Sequence, residues 1–417
     1  MDKRPDILFA DVPIIEEERF IQDTFINRGR ELKAARDFIP NHPRNEIYAI
    51  HGFSRVGKSH LAVKIAEDLS KQHNMHYFYV SANLKGNAVD VLTSLYEKIR
   101  DYFVEMLPVE GKEKNQALDF VRAYLSQINQ VFLMPTARVA SRSLEKKANK
   151  LKPGFKVKIP FLGLGVGMDG ETSIGTDREQ TVELTRPNLD GTRTLICYLL
   201  EMLASITGRT TLLLIDDLDL LEETKLGEEE RDNLINQLKH MASLKLTAVW
   251  ITSRQQYFIE RQKEMINFIE VDFLKDSELI SIYQARVQQF NNGEPIFEQD
   301  VLNELATGFR GIAGAFLYEC HLLRRYHLDK TGPLTMAHLQ EYLLAEIDKF
   351  LDNPETHGIF QQITNAVSAH LVEIDINDVK KGHGLIYRVL MPKGYKQNVY
   401  EVLPLYAKAI LSQASNT

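Results

Sequence analysis

The chain has 417 residues, more than one typical domain, and its 44% hydrophobic and 26% charged content is ordinary for a folded protein. Its formal net charge of −7 argues against wholesale coating of nucleic acid, although local basic patches remain open. The cysteines are Cys197 and Cys320, both in apolar helical patterns, which argues against a disulfide framework or a cysteine zinc site. No apolar run reaches membrane-spanning length, and the start Met1-Asp2-Lys3-Arg4-Pro5-Asp6 lacks the apolar stretch of a signal peptide, so a cytoplasmic protein without membrane contact is expected.

Residues 1–24 form an N-terminal segment, and a core begins at residue 25. Ile47-Tyr48-Ala49-Ile50 reads as a buried strand and His60 to Leu69 as an amphipathic helix. Between them, Gly52-Phe53-Ser54-Arg55-Val56-Gly57-Lys58-Ser59 fills every fixed position of the phosphate-loop pattern G-x-x-x-x-G-K-[ST] in its strand-loop-helix setting. Glycines let successive N–H groups curl toward phosphates, and the helix N-terminus adds partial positive charge. ATP with Mg²⁺ is therefore the expected ligand. Gly52, Phe53, Ser54, Arg55, Val56, Gly57 and His60 would surround the phosphates, Lys58 would reach the β- and γ-phosphates, and Ser59 would hold the metal.

A second strand is expected at His76 to Ser81 and a helix over Val89 to Tyr102, giving β-α-β-α so far. An extra stretch, about 105–190, then exceeds a normal connection. It carries Arg138, Arg142, Lys146, Lys147, Lys150, Lys152, Lys156 and Lys158 against Glu145 alone, a stripe that either tracks the phosphates of DNA or RNA or is a solvated face. Phe155 to Ile159 alternates like a hairpin strand. Gly165-Val166-Gly167-Met168-Asp169-Gly170 matches G-x-G-x-x-G, but with no helix or βαβ unit around it this is not a dinucleotide site.

The third core strand, Thr211 to Ile215, ends in Asp216-Asp217-Leu218-Asp219, a hydrophobic run with acids at its C-terminal end. Asp216 would hold Mg²⁺ through water and Asp217 would orient the attacking water. After a helix around Arg231 to Met241, a fourth strand, Leu246 to Ile251, closes with Thr252-Ser253-Arg254. Phe268 to Phe273 is the fifth.

These motifs resemble those of P-loop ATPases of the AAA+ and STAND group, nearest the replication-initiator branch. Phe25-Ile26-Asn27-Arg28-Gly29-Arg30-Glu31-Leu32 is similar to the F-[VI]-G-R-x-x-E-L box of those families, which implies adenine contact for Phe25 and Ile26. The other reading is a helix whose Leu32, Ala35 and Phe38 face the core. Asp216 and Asp217 resemble a Walker B pair. The Thr-Ser-Arg ending resembles a sensor strand, implying γ-phosphate contact by Arg254. Lys275 to about Asp352 resembles a helical lid, in which Gly308-Phe309-Arg310-Gly311-Ile312-Ala313-Gly314-Ala315 falls where a second sensor lies, implying the same contact for Arg310.

From Ile359, a helix followed by Gly384 to Leu390 and Val399 to Leu403 resembles a reduced winged helix. The expected architecture is thus an α/β chain, with a parallel five-stranded P-loop sheet and flanking helices over 25–275, a helical lid over 276–352, and a small α+β winged-helix-like segment over 353–417. The resemblance implies a slow ATPase switch, alternating between ATP and ADP, that couples nucleotide state to DNA, a partner protein or a homo-oligomer. The alternative is a non-hydrolysing, nucleotide-bound interaction protein in a bacterial defence or signalling assembly.

Overall fold

The structure, a computed structural model, describes residues 28–38, 46–82, 87–107, 111–133, 136–140, 181–185, 189–220, 225–254, 267–354, 356–369, 371, 373–375, 388–392 and 399–416. Phe25, Ile26, the basic run from Arg142 to Lys158, the strand expected at 155–159 and the glycines at 165–170 lie outside them.

Five strands form one parallel sheet: β1 (Ile47–Gly52), β2 (His76–Ser81), β5 (Thr211–Asp216), β6 (Thr247–Arg254) and β7 (Asn267–Val271), in the order β2-β5-β6-β1-β7. The apolar runs of β1 and β5 are explained by burial on both faces. Alternate residues feed two separate cores. Tyr48, Ile50, Leu212, Leu214, Trp250 and Ile269 pack under α1 (Gly29–Phe38) and α2 (Lys58–His73). On the other face Ala49, Val80, Leu213, Ile215 and Val249 meet α3 (Ala88–Asp101), α4 (Lys112–Leu133), α5 (Leu189–Thr207) and α6 (Lys225–Ala242).

The stretch expected to be an insertion begins as part of this layer. Through Leu118, Phe120, Val121, Tyr124 and Leu125, α4 is buried in the second core. Beyond it an antiparallel ribbon, β3 (Thr136–Ala140) with β4 (Thr181–Thr185), brackets residues 141–180.

After β7 the chain builds a second body from α7 (Asp276–Phe290), α8 (Gln299–Phe309), α9 (Ala313–Tyr326), α10 (Met336–Asp352) and α11 (His357–Ser368). The C-terminal part adds β8 (Glu373–Asp375), β9 (Leu390–Pro392), β10 (Val399–Val402) and α12 (Pro404–Asn416). The strands form an antiparallel sheet in the order β8-β10-β9. Of the two strands expected from sequence, the second matches β10 to within one residue, the first meets β9 at Leu390 with residues 384–387 outside the described residues, and neither β8 nor α12 was expected.

Lid and C-terminal segment share one continuous core, from Leu274 and Leu279 through Phe316 and Phe360 to Leu405, Tyr406 and Ile410. Gly308 shows how close the fit is, since a Cβ there would lie 2.7 Å from the Cβ of Leu405. At its centre sits a charged cluster. Arg388 donates to Glu319 (3.3 Å), Glu346 (2.9 Å) and the hydroxyls of Tyr342 and Tyr406 (3.0 Å each), and both tyrosines donate to Glu319 at 2.7 Å. Two carboxylates around one guanidinium, with hydroxyls filling the remaining positions, satisfy charges that burial would otherwise make costly. No helix among the described residues is long and apolar enough to cross a membrane.

Candidate nucleotide-binding site

The site lies at the C-terminal edge of the sheet, where open α/β sheets receive ligands. Strand β1 ends at Gly52, which must lack a side chain because a Cβ would sit 2.5 Å from the carbonyl of Val271 on β7. The loop then turns through two left-handed residues, Arg55 (φ 61°) and Gly57 (φ 101°), before α2 begins at Lys58. That helix has no side-chain N-cap and no acid in its first turn, so its leading N–H groups are left for an anion. Arg28 fixes the loop from outside: its guanidinium donates to the carbonyls of Val56 and Asp272 (2.8 Å each) and to Glu31 (2.9 Å).

Lys58 is only 6% exposed, donates to the carbonyl of Phe53 at 2.9 Å, and forms no ion pair within reach among the described residues. Burial lowers its pKa, opposed by the nearby charges of Asp219, Asp217 and Asp216. A buried cation with acids near but not bonded is the complement of a triphosphate carrying a divalent metal. Ser59 follows it in the first turn of α2. His60 comes next, and burial with Arg286 nearby pushes its imidazole down to about 3, so it is neutral at ordinary pH.

Asp216 ends β5, held from both sides. Tyr79 of β2 donates to its Oδ2 at 2.6 Å, and the Thr252 hydroxyl of β6 donates to its Oδ1. Asp217 turns into the left-handed region (φ 53°) and its N–H donates to the Thr252 oxygen at 2.8 Å. Burial, then the charges of Asp216 and Asp219, push the Asp217 carboxyl up to about 7, while Lys58 and Arg254 pull the other way.

Arg254, the expected γ-phosphate sensor, pairs its Nε with Asp219, whose other oxygen accepts the Arg254 N–H at 3.1 Å. Arg310 is placed elsewhere. It caps α8 in the left-handed region (φ 45°) and its guanidinium is paired with Glu401 on β10. Its flanking glycine, Gly311, holds the lid to the end of the sheet: the N–H of Leu274 donates to its carbonyl at 3.1 Å, and a Cβ there would lie 2.1 Å from the carbonyl of Leu274.

The strand order places the Thr-Ser-Arg strand β6 between the phosphate-loop strand and the acidic strand, so Lys58, Asp216, Asp217, Thr252 and Arg254 converge at one edge. The fold is the expected five-stranded parallel α/β sheet with flanking helices. No family model and no curated protein matches the sequence. Solved structures similar to it include Cdc6p from Pyrobaculum aerophilum, with a TM-score of 0.46 and 11% identity over 99% of this chain and 98% of that one. A RuvB mutant from Thermotoga maritima gives 0.41 and 10% over 94% and 96%. AMPPCP-bound DnaA from Aquifex aeolicus gives 0.35 and 11% over 95% and 92%.

Tyr79, Thr252, Asp219 and Arg28 were not singled out as site residues from sequence. For Thr252 the signal was present, a polar residue ending a strand next to an acidic one. For Tyr79 there was none, because its role depends on which strand lies beside β5. Arg28 was obscured by the doubled arginine of Asn27-Arg28-Gly29-Arg30.

Proposed function

We propose that the chain is an ATP-dependent molecular switch that binds ATP with Mg²⁺ at the phosphate loop, hydrolyses it slowly, and passes the nucleotide state to its C-terminal segment. The supporting observation is a continuous line of contacts out of the loop. The N–H of Gly314, at the start of α9, donates to the carbonyl of Arg55 at 2.8 Å. The Arg55 guanidinium lies 5.4 Å from the centre of the Tyr318 ring, and Arg388, the hub of the buried cluster, lies 5.9 Å from the same ring. A phosphate that moves Arg55 therefore pulls on the element that anchors the C-terminal sheet.

In this reading the Lys58 ammonium neutralises the β- and γ-phosphates, and Ser59 and Asp216 would hold a Mg²⁺ that would supply further charge neutralisation. Asp217, poised near neutrality, takes a proton from the attacking water. Arg254 leaves Asp219 to meet the γ-phosphate, which distinguishes triphosphate from diphosphate. A side chain one methylene shorter than Glu, together with an arginine that must first leave a carboxylate, makes turnover slow.

The same Arg254–Asp219 pair favours a second reading, in which nucleotide is a structural ligand and is not turned over. The output is DNA or RNA, contacted through the basic stretch between Arg138 and Lys158, or a partner protein or second copy of the chain, in a cytoplasmic setting. Single-turnover hydrolysis, with gel shifts in ATP and ADP at two salt concentrations, tests both parts. Replacing Lys146, Lys147, Lys150 and Lys152 by Glu abolishes a salt-sensitive shift if this stretch is the contact. Equal shifts by wild type and variant overturn the nucleic-acid role of the stretch, and no hydrolysis over hours overturns the ATPase.

A further inference from the structure

The Asp216 carboxylate is gripped from both flanking strands, and the two grips differ in kind. The Thr252 hydroxyl donates to the Asp216 carboxylate, which can only accept, while its oxygen accepts the N–H of Asp217. Tyr79 comes from the opposite side. It stands opposite Leu214 in the β2–β5 register, on the α2 side of the sheet, and Leu214 and Asp216 point to that same face. The phenol reaches two positions along the strand, past Ile215, and its hydroxyl donates to Oδ2 at 2.6 Å. A shorter hydroxyl on β2 at this register would stop short of Asp216.

A carboxylate offers about four lone-pair sites. One hydrogen bond to each oxygen stops the group from rotating and leaves one site per oxygen for water or a metal. We infer that Tyr79 is a positioning residue for the divalent cation of the nucleotide site, setting how tightly Asp216 holds a hydrated Mg²⁺. This rests on the ATP-binding reading above and adds to it a residue outside the phosphate loop and the acidic strand.

The test uses the full chain and fluorescent N-methylanthraniloyl-ATP, titrated first in EDTA and then against Mg²⁺ at fixed probe. Without metal, Tyr79→Phe should bind the probe as wild type does, since the phosphate loop is untouched. The Mg²⁺ concentration for half-maximal tightening should rise about tenfold, the equivalent of one charge-assisted hydrogen bond. Tyr77→Phe, which removes a hydroxyl from the same face of the same strand, should change it less than about twofold.

An unchanged or lowered Mg²⁺ midpoint in Tyr79→Phe overturns the inference while leaving nucleotide binding in place. Loss of probe binding in EDTA together with a lowered Tm makes Tyr79 a packing residue, which also overturns it. Failure of the wild type to bind the probe with or without Mg²⁺ refutes the ATP site itself and takes this inference with it.

Discussion

Replacing Arg388 by Met removes the guanidinium at the centre of the second core while keeping an apolar stem. Both carboxylates lose their shared cation; Glu319 is fully buried, where water cannot replace it, while Glu346, 9% exposed, keeps its pair with Lys349. Breaking a buried pair from one side typically costs about 3–5 kcal/mol. Tyr342 and Tyr406 still donate to Glu319, so the lower part of that range applies, about 3 kcal/mol. For a body of this size that is a fall in Tm on the order of 10 °C. The double variant Glu319→Gln/Arg388→Met leaves only Glu346, which keeps its ion pair with Lys349, and should regain more than half of the loss. Two signals separate the bodies. Far-ultraviolet circular dichroism follows helices everywhere, whereas fluorescence reports on the single tryptophan, Trp250, which is buried in the parallel sheet and stacked on Tyr48. The early transition of Arg388→Met should appear in the first and be weak in the second. A variant melting within about 2 °C of wild type, or a double variant no better than the single one, would refute the reasoning.

The Asp217 carboxyl is raised from 3.8 to about 7 in the folded, nucleotide-free protein, so its contribution to stability is full below about pH 4 and is lost as pH rises through about 7. Asp217→Asn should therefore exceed wild type in Tm at pH 8 and converge with it near pH 4; parallel Tm curves would contradict this. The same variant should bind ATP and lose hydrolysis, and an unchanged steady-state rate would move the base elsewhere. Lys58→Ala should weaken ATP binding by tenfold or more in calorimetry, since it removes the one buried cation of the loop, and wild-type affinity would sink the assignment. Gly311→Ala must place a Cβ at a φ of 84° and 2.1 Å from a carbonyl, and should lose at least about 2 kcal/mol in urea unfolding.

What could be read from the sequence was what the backbone itself demands. Gly52, Gly57 and Lys58 are constrained by a loop geometry that few residues satisfy, and the apolar run before Asp216 is the mark of a strand covered on both faces. What could not be read depends on neighbours that are remote in the chain. Lys112 to Leu133 falls within the stretch expected to be an insertion, and nothing in its sequence says that Tyr124 meets Tyr198 in the core. Arg310 sits in a Gly-Phe-Arg-Gly context that resembles a sensor. The left-handed turn at that residue sends its side chain to Glu401, 91 positions later, a partner that no local pattern reveals. The strand β8 has only three residues, too few for an alternation to register.

The single core shared by lid and C-terminal segment has a consequence for biosynthesis. Domains generally fold as they emerge, N-terminal parts first. The parallel sheet is complete once β7 has left the ribosome, but the second core draws on Tyr400, Val402, Leu405, Tyr406 and Ile410. Until those residues arrive, Glu319 lacks the hydroxyl of Tyr406, and the apolar face of α8 that α12 covers is open to solvent. A nascent chain thus passes through a stage with a finished phosphate loop and an unfinished lid, a stage at which chaperones and proteases find an exposed apolar surface. A premature stop after α11 would hold the protein in that stage permanently.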